Sequence, residues 1–502
     1  MDALEQAFEV KLEPREPGDE RGLLAAIDFQ AARSHECPSL TIVSDGDRGE
    51  GPVRFADSGV DARLRGRELL ERDAPADGLR HQPGHQVLAT RGRTPVWTRS
   101  DGGDHLAARA PVELEPDEPL KQRLRAGRFQ ALLPLVAFLR EQTAARAWQP
   151  PPQRALLMFD DPNLHWPSYG HIDYRELTRH AEQHDYHAAM GMIPLDARIV
   201  HPEAARLFKA PGSRLSVLMH GINHEHRELM QPLPEGTRAA LFARALARVE
   251  AFERRSRVPV SRVMCAPHGE ASEEFLGTML DFGLEAQFAD LPFPWITGEP
   301  ATGPSLTYWS PANFVAGGLP VIPRYPLTYD RDEVVLRAYL DHPLVLYGHH
   351  EDLEDGLDLL ADAAALVNGL APTKWCSAEE IARTNHTTRR RGTTFEVGMM
   401  SRAVRVDLPE EIETIEVRVP PVYGPAREHE IVAGTERARV DLSSERPTIV
   451  SLAVTTSGPL FLELRPRDLL ADRAPKPAAV RPWPIARRVL TEGRDRLRPI
   501  FR

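Results

Sequence analysis

Two adjacent carboxylates, Asp160 and Asp161, follow the apolar run 154–159, and two imidazoles, His220 and His224, follow another, 215–219. An ionised carboxylate resists burial, so a pair directly behind a strand-like segment is hard to explain as structure alone. One carboxylate and two imidazoles make a three-ligand set that leaves a fourth position open on a catalytic ion. The second carboxylate is then free to take a proton from water polarised by that ion. The chemistry this predicts is metal-assisted hydrolysis. The spacing of the histidines places both imidazoles on one side of a helical turn. The pair alone is weak, because His226 nearby makes an exposed, merely histidine-rich loop the alternative.

Such residues need strands to carry them. Between 154 and about 385, short apolar segments at 155–159, 187–193, 215–219, 262–265, 285–289, 319–323 and 344–347 alternate with amphipathic ones at 174–183, 237–253, 273–282 and 332–340. That alternation predicts an α/β fold, a parallel sheet of about seven strands closed or curled into a (β/α) barrel with helices outside. In such a barrel the chemistry sits where strands end, and the polar residues fall behind Phe159, Met219, Cys265 and Tyr347. Residues 1–148 are expected to form an α/β accessory domain with strands near 40–43, 85–89 and 94–97, ending in a helix over 129–146. The proline-rich run 149–153 marks the boundary. Period-two alternation over 393–470 predicts an independent β-sandwich without catalytic groups, so a chain cut after about Asn385 should keep its metal site. The Pro/Arg-rich tail, 471–502, is expected to be solvated or docked on a partner rather than laid on a membrane.

The bulk properties bound the rest. A length of 502 residues predicts two or three domains, and 42% apolar with 27% charged residues is the balance of a folded, soluble chain. A net charge of -11 argues against general nucleic-acid binding. Three scattered cysteines (Cys37, Cys265, Cys376) make no disulfide framework. The first residues lack the basic start and apolar stretch of a signal peptide, and no apolar run spans a membrane, so a cytoplasmic location is the expectation.

Residues 154–385 resemble the polysaccharide deacetylase family, the NodB-homology domain of carbohydrate esterase family 4. The resemblance rests on Phe159-Asp160-Asp161, then His220-Gly-Ile-Asn-His224, then Cys265-Ala-Pro-His-Gly269, then the apolar strand running into His349 and His350. It implies a distorted (β/α) barrel and a divalent metal, zinc by ligand type, held by Asp161, His220 and His224, with Asp160 as general base and the last strand's histidine as general acid. Side chains alternate along a strand, so only one of the two histidines points into the barrel mouth. The motif runs apolar residues straight into its histidine, which favours His349. His350, beside Glu351 and Asp352, is either a structural imidazole or the true acid.

The chain departs from the motif at Met158, Gly221 and Glu225, and Cys265 stands where the family has the arginine that orients the base. Arg324 either supplies that cation or is solvated. Cys265 reads as a small buried residue rather than a nucleophile. His268 takes the motif's aromatic position, contacting substrate or capping its turn, and a backbone N–H of the turn ending at Gly269 is a candidate oxyanion donor. In the loop 162–171, Trp166 and Tyr169 either stack on a sugar or pin the loop, His165 and His171 are candidate hydrogen-bonding groups, and Asn163 a brace for the dyad. The activity expected is removal of an acyl (acetyl) group from an N- or O-acylated carbohydrate or related small molecule. The rivals are a catalytically weakened glycan-binding barrel and another C–N or glycosidic hydrolase on the same scaffold.

Overall fold

The computed structural model describes residues 2–15, 23–29, 35–43, 48–75, 78–80, 82–115, 118–290, 306–423, 427–442, 447–454, 457–473, 475–479 and 481–497. They form two compact units, one of Met1–Trp148, Ile296–Trp309 and Tyr329–Leu340, the other of Gln149–Trp295, Ser310–Thr328 and Asp341–Arg502. The first unit is built on a seven-stranded sheet. Its terminal helix is shorter than the expected 129–146, running over Leu133–Gln142. Pro134 explains the late start, because a proline is tolerated in the first turn, where its missing N–H has no intrahelical partner. A second correction concerns 332–340, read as an outer helix of the barrel. As Arg331–Tyr339 it belongs to the first unit, where Glu333 accepts from the Ala126 N–H at 2.7 Å and the buried Arg337 donates to the Leu124 carbonyl.

The second unit carries the candidate site. All seven expected strands are present, as Gln153–Asp160, Ala188–Met192, Leu215–His220, Val260–Cys265, Ala286–Ala289, Leu319–Pro323 and Leu344–Gly348. The first six pair in parallel in that order, and Leu344–Gly348 pairs in parallel with Gln153–Asp160 at the other side of the first strand. Beyond Arg324 the chain resumes as Tyr325–Pro326 and pairs with Leu344–Gly348, so among the described residues the chain itself, and no strand pairing, joins the two sides of the sheet at Arg324. The strands are buried along nearly their whole length, which suits near-continuous apolar sequence covered on both faces.

Two four-stranded sheets follow in chain order. In Thr414–Val419 every second residue is buried, the alternation that predicted strands. Val397, Ile415 and Val417 of one sheet share an apolar cluster with Val404, Ile431 and Leu464 of the other. The region is not set apart from the large sheet. Val422–Tyr423 adds to the large sheet beside Asn313–Val315, and Phe314 packs into the same cluster. The tail also differs from expectation. Instead of being solvated, Pro482–Leu497 is a helix whose Arg488 and Asp495 are buried against the segment 161–169. Among the described residues no helix is long and apolar enough to cross a membrane.

Candidate metal centre

Asp160, Asp161, His220, His224, His268, Arg324 and His349 stand at or within a few residues past the carboxyl ends of parallel strands, where backbone pairing stops and side chains can converge. Asp160 and His220 are the last residues of their strands, and Asp161 follows immediately with φ 82°. His224 does not lie on a helical turn with His220, as the spacing suggested. It sits in a loop with φ 57°, and the loop folds back around one buried carboxylate. Glu228 accepts from four successive N–H groups, those of Ile222, Asn223, His224 and Glu225, at 2.7–3.3 Å. The loop also explains a departure from the motif. Gly221 has φ 64°, and a Cβ there would run into the Glu228 carboxylate and Pro267, so no Ser or Thr fits.

Glu228 escaped the sequence reading, although a carboxylate four residues behind a candidate ligand was a usable signal. Its removal makes a direct test of how the loop is held. Glu228→Ala leaves buried donors unpaired, at about 1–3 kcal/mol each. The variant should melt several degrees lower and lose metal, measured by thermal denaturation and elemental analysis. An unchanged melting point would mean that the loop holds itself.

One ligand atom each from Asp161, His220 and His224 lies within 4.8 Å of the other two. Ligands of a tetrahedral ion with bonds of about 2 Å stand roughly 3.3 Å apart, so small rotations would bring the three into range. The donors fit a divalent cation in kind as well. Asp161 Oδ1 is buried without a hydrogen-bond donor, 3.4 Å from His224 Nε2 and 3.5 Å from Arg488 Nη1. His220 Nδ1 lies 3.0 Å from the Cys265 carbonyl, which can only accept, so Nδ1 carries the proton and Nε2 keeps its lone pair. Burial lowers the pKa of both imidazoles against the pull of the Asp160 and Asp161 carboxylates, His224 to about 4, which keeps them neutral as ligands require. Burial raises the Asp161 carboxyl, but His224, His220, Arg488 and His349 outweigh it and hold the group down to about 2.

Asp160 is held differently. Arg324 Nη1 donates to both its oxygens, at 2.9 and 2.8 Å, and each residue is almost completely buried. The solvated alternative for Arg324 therefore fails, and so does any direct contact with substrate from under the dyad. The guanidinium lies 3.9 Å from the Tyr347 ring centroid, and Tyr347 donates to Asp290 at 2.8 Å, a chain of contacts that fixes the cation from behind. Desolvation opposes the Asp160 charge, yet Arg324, with His220 and His349, leaves its pKa lowered. Cys265 is buried with its thiol pKa pushed well up by desolvation, which suits a packing role.

The two neighbouring histidines part company. His349 is exposed and close enough to help hold both carboxylates ionised. His350 is buried between the rings of Tyr169 and His171, with Glu351 and Asp495 at 3.4 and 3.9 Å from its Nε2. His268 is exposed, 5.7 Å from His224 ring to ring. In its turn Pro267 has no N–H and the Gly269 N–H donates to the Ala266 carbonyl at 3.0 Å, so the Gly269 N–H is already engaged and His268 becomes the turn's candidate donor.

Tyr169 needs a correction as a sugar platform. It is fully buried, donating to Asp495 at 3.0 Å, because the tail helix covers it. Trp166 remains open, 56% exposed and stacked on His201. His165 is engaged by Glu492 and the Asp196 carbonyl, and Asn163 hydrogen-bonds Asp196 rather than the dyad.

No family model and no curated protein matches the chain. Among solved structures it is similar to carbohydrate esterase family 4 deacetylases. A family 4 carbohydrate esterase from Streptomyces lividans, in complex with acetate, is 14% identical over 44% of this chain and 88% of its own, with a TM-score of 0.27. The catalytic domain of a peptidoglycan N-acetylglucosamine deacetylase from Eubacterium rectale is 12% identical over 47% and 95%, with a TM-score of 0.25. A protein of Mycobacterium smegmatis solved as a candidate polysaccharide deacetylase is 16% identical over 47% and 93%, at 0.31.

Proposed function

We propose that the second unit is a metal-dependent deacylase that removes an acyl group, acetyl in the simplest case, from an N-acylated carbohydrate or related small molecule. The observation that carries this reading is one constellation. Asp161, His220 and His224 converge around a buried carboxylate oxygen that lacks a donor, and Asp160 lies beside them under Arg324. The distorted (β/α) barrel belongs to the same reading, supported by the run of parallel strands and by the chain's continuity through Arg324 from one side of the sheet to the other. So does the C-terminal β-sandwich, supported by the apolar cluster that its two sheets share.

Asp161, His220 and His224 would hold the cation, zinc by ligand type. A divalent cation there supplies positive charge that lowers the pKa of water towards about 7 and favours a developing oxyanion. Asp160, kept ionised and aimed by Arg324, takes the proton of the attacking water. The His268 N–H faces the carbonyl oxygen as it gains charge. His349 gives a proton to the leaving amine as the C–N bond breaks, so that a carboxylic acid and a free amine are released. Trp166, exposed on the loop behind the dyad, offers a face for a sugar ring. The glycan-binding rival drew on the arginine missing at Cys265, and Arg324 removes that ground.

Elemental analysis of the purified chain, together with a screen of acetylated mono- and oligosaccharides, tests the reading. One equivalent of metal and acetate release are expected. Protein that takes up no divalent ion and frees no acetate would end it. The acid is tested separately. His349→Ala should cost about 10²–10⁴ in turnover with metal retained, while His350→Ala should lower the melting temperature instead. Full activity in His349→Ala would place the acid elsewhere.

A further inference from the structure

We propose that Arg487 and Arg488 are positioning residues of the metal centre, clamping two of its three ligand residues by their main-chain carbonyls. This rests on the metal-site reading above. His220 needs no such help, since it ends a paired strand and is tied to Cys265. Asp161 and His224 lie beyond their strands, both at positive φ, 82° and 57°. Non-glycine residues there cost about 1–3 kcal/mol and persist only where the surroundings over-determine them. Consecutive arginines of one helix supply that constraint. Arg488 Nη2 donates to the Asp161 carbonyl at 2.7 Å, and Arg487 Nη2 donates to the His224 carbonyl and, at 3.4 Å, to that of Asn223. Fixing the carbonyl fixes the peptide plane, and with it the direction in which each ligand side chain leaves the backbone.

The helix itself is held to the turn Pro194–Asp196 and to the loop that begins at Asp161. Arg488 Nε donates to the buried Asp196 at 2.7 Å. Asp495 accepts from Tyr169 at 3.0 Å, Glu492 pairs with His165 at 3.0 Å, and Arg496 donates to the Ser168 carbonyl at 2.8 Å. One guanidinium reaches Asp196, the Asp161 carbonyl and the Tyr169 hydroxyl together, a fork that a lysine cannot reproduce. Nη1 stays 3.5 Å from Asp161 Oδ1, beyond a hydrogen bond, and leaves that oxygen its lone pairs. A chain cut after Asn385, expected from the sequence to keep its metal site, would lose both clamps.

The test compares full-length wild type with His220→Ala, Arg487→Ala, Arg488→Ala, Arg488→Lys and Leu490→Ala, the last changing an exposed residue of the same helix. Zinc affinity is measured by competition with a chromophoric chelator, ligand geometry by the visible spectrum of the cobalt-substituted protein, and folding by melting temperature. Wild type and Leu490→Ala should bind one equivalent alike, and His220→Ala none. Arg487→Ala and Arg488→Ala should each bind about 10–100-fold more weakly with an altered cobalt spectrum, and Arg488→Lys should recover part of the loss. If Arg488→Ala does not fold, because Asp196 is left unpaired, Arg487→Ala carries the test. Wild-type affinity and spectrum in Arg487→Ala, or tighter binding in Arg488→Ala, would overturn the clamp and leave the metal site standing. Wild-type protein that binds no zinc would overturn both.

Discussion

His220→Ala should purify folded and without metal. Of the three proposed ligand residues His220 is the most deeply set, ending a buried strand with its Nδ1 proton on the Cys265 carbonyl. Truncation removes one of two nitrogen donors and leaves that carbonyl unpaired, a loss of about 1–3 kcal/mol that a unit of this size tolerates. Metal content by elemental analysis should fall from one equivalent to none, with the far-ultraviolet circular dichroism unchanged, and deacylation should vanish with it. Retention of a full equivalent would show that the metal is held by other residues, and the assignment of Asp161 and His224 would go with it.

Arg324→Met should produce the largest combined loss of stability and rate. The ion pair with Asp160 is almost wholly buried, and removing one partner from such a pair costs about 3–5 kcal/mol because a charge is left without compensation. Asp160 would then gain a proton at neutral pH or turn away, and turnover should fall towards the about 10²–10⁴-fold loss of removing the base itself. A double-mutant cycle separates the two effects. Asp160→Asn combined with Arg324→Met removes both charges, so it should recover stability relative to Arg324→Met alone while remaining inactive. A single variant that keeps both its melting temperature and its rate would show that the pair neither holds the fold nor aims the base.

The strands and the groups at their ends were readable because both obey local rules, apolar runs of strand length and polar residues where they stop. Partners brought together by the fold were not. Arg324 and Asp160 are 164 positions apart, and no spacing rule links them. Arg324 was therefore left open between an anchor and a solvated cation. The histidine spacing suggested a helical turn, whereas the convergence comes from a loop gathered on Glu228. The tail misled for a sharper reason. A Pro/Arg-rich run reads as solvated, yet this helix buries Arg488 and Asp495 while Trp483, Val489 and Leu490 face solvent. Tyr169 was left open between a sugar platform and a pin for its loop, because nothing local tells that the tail covers it.

The contact between Arg487 and His224 spans 263 positions, and that between Arg488 and Asp161 spans 327. On the ribosome, His224 is therefore made roughly 13–50 s before Arg487, at about 5–20 residues per second. The strands that present the ligands can pair during that interval, yet the carbonyl partners of two ligands do not exist. Completion of the centre is thus a late event set by chain order, and a nascent chain arrested before residue 487 carries the ligands without their clamp.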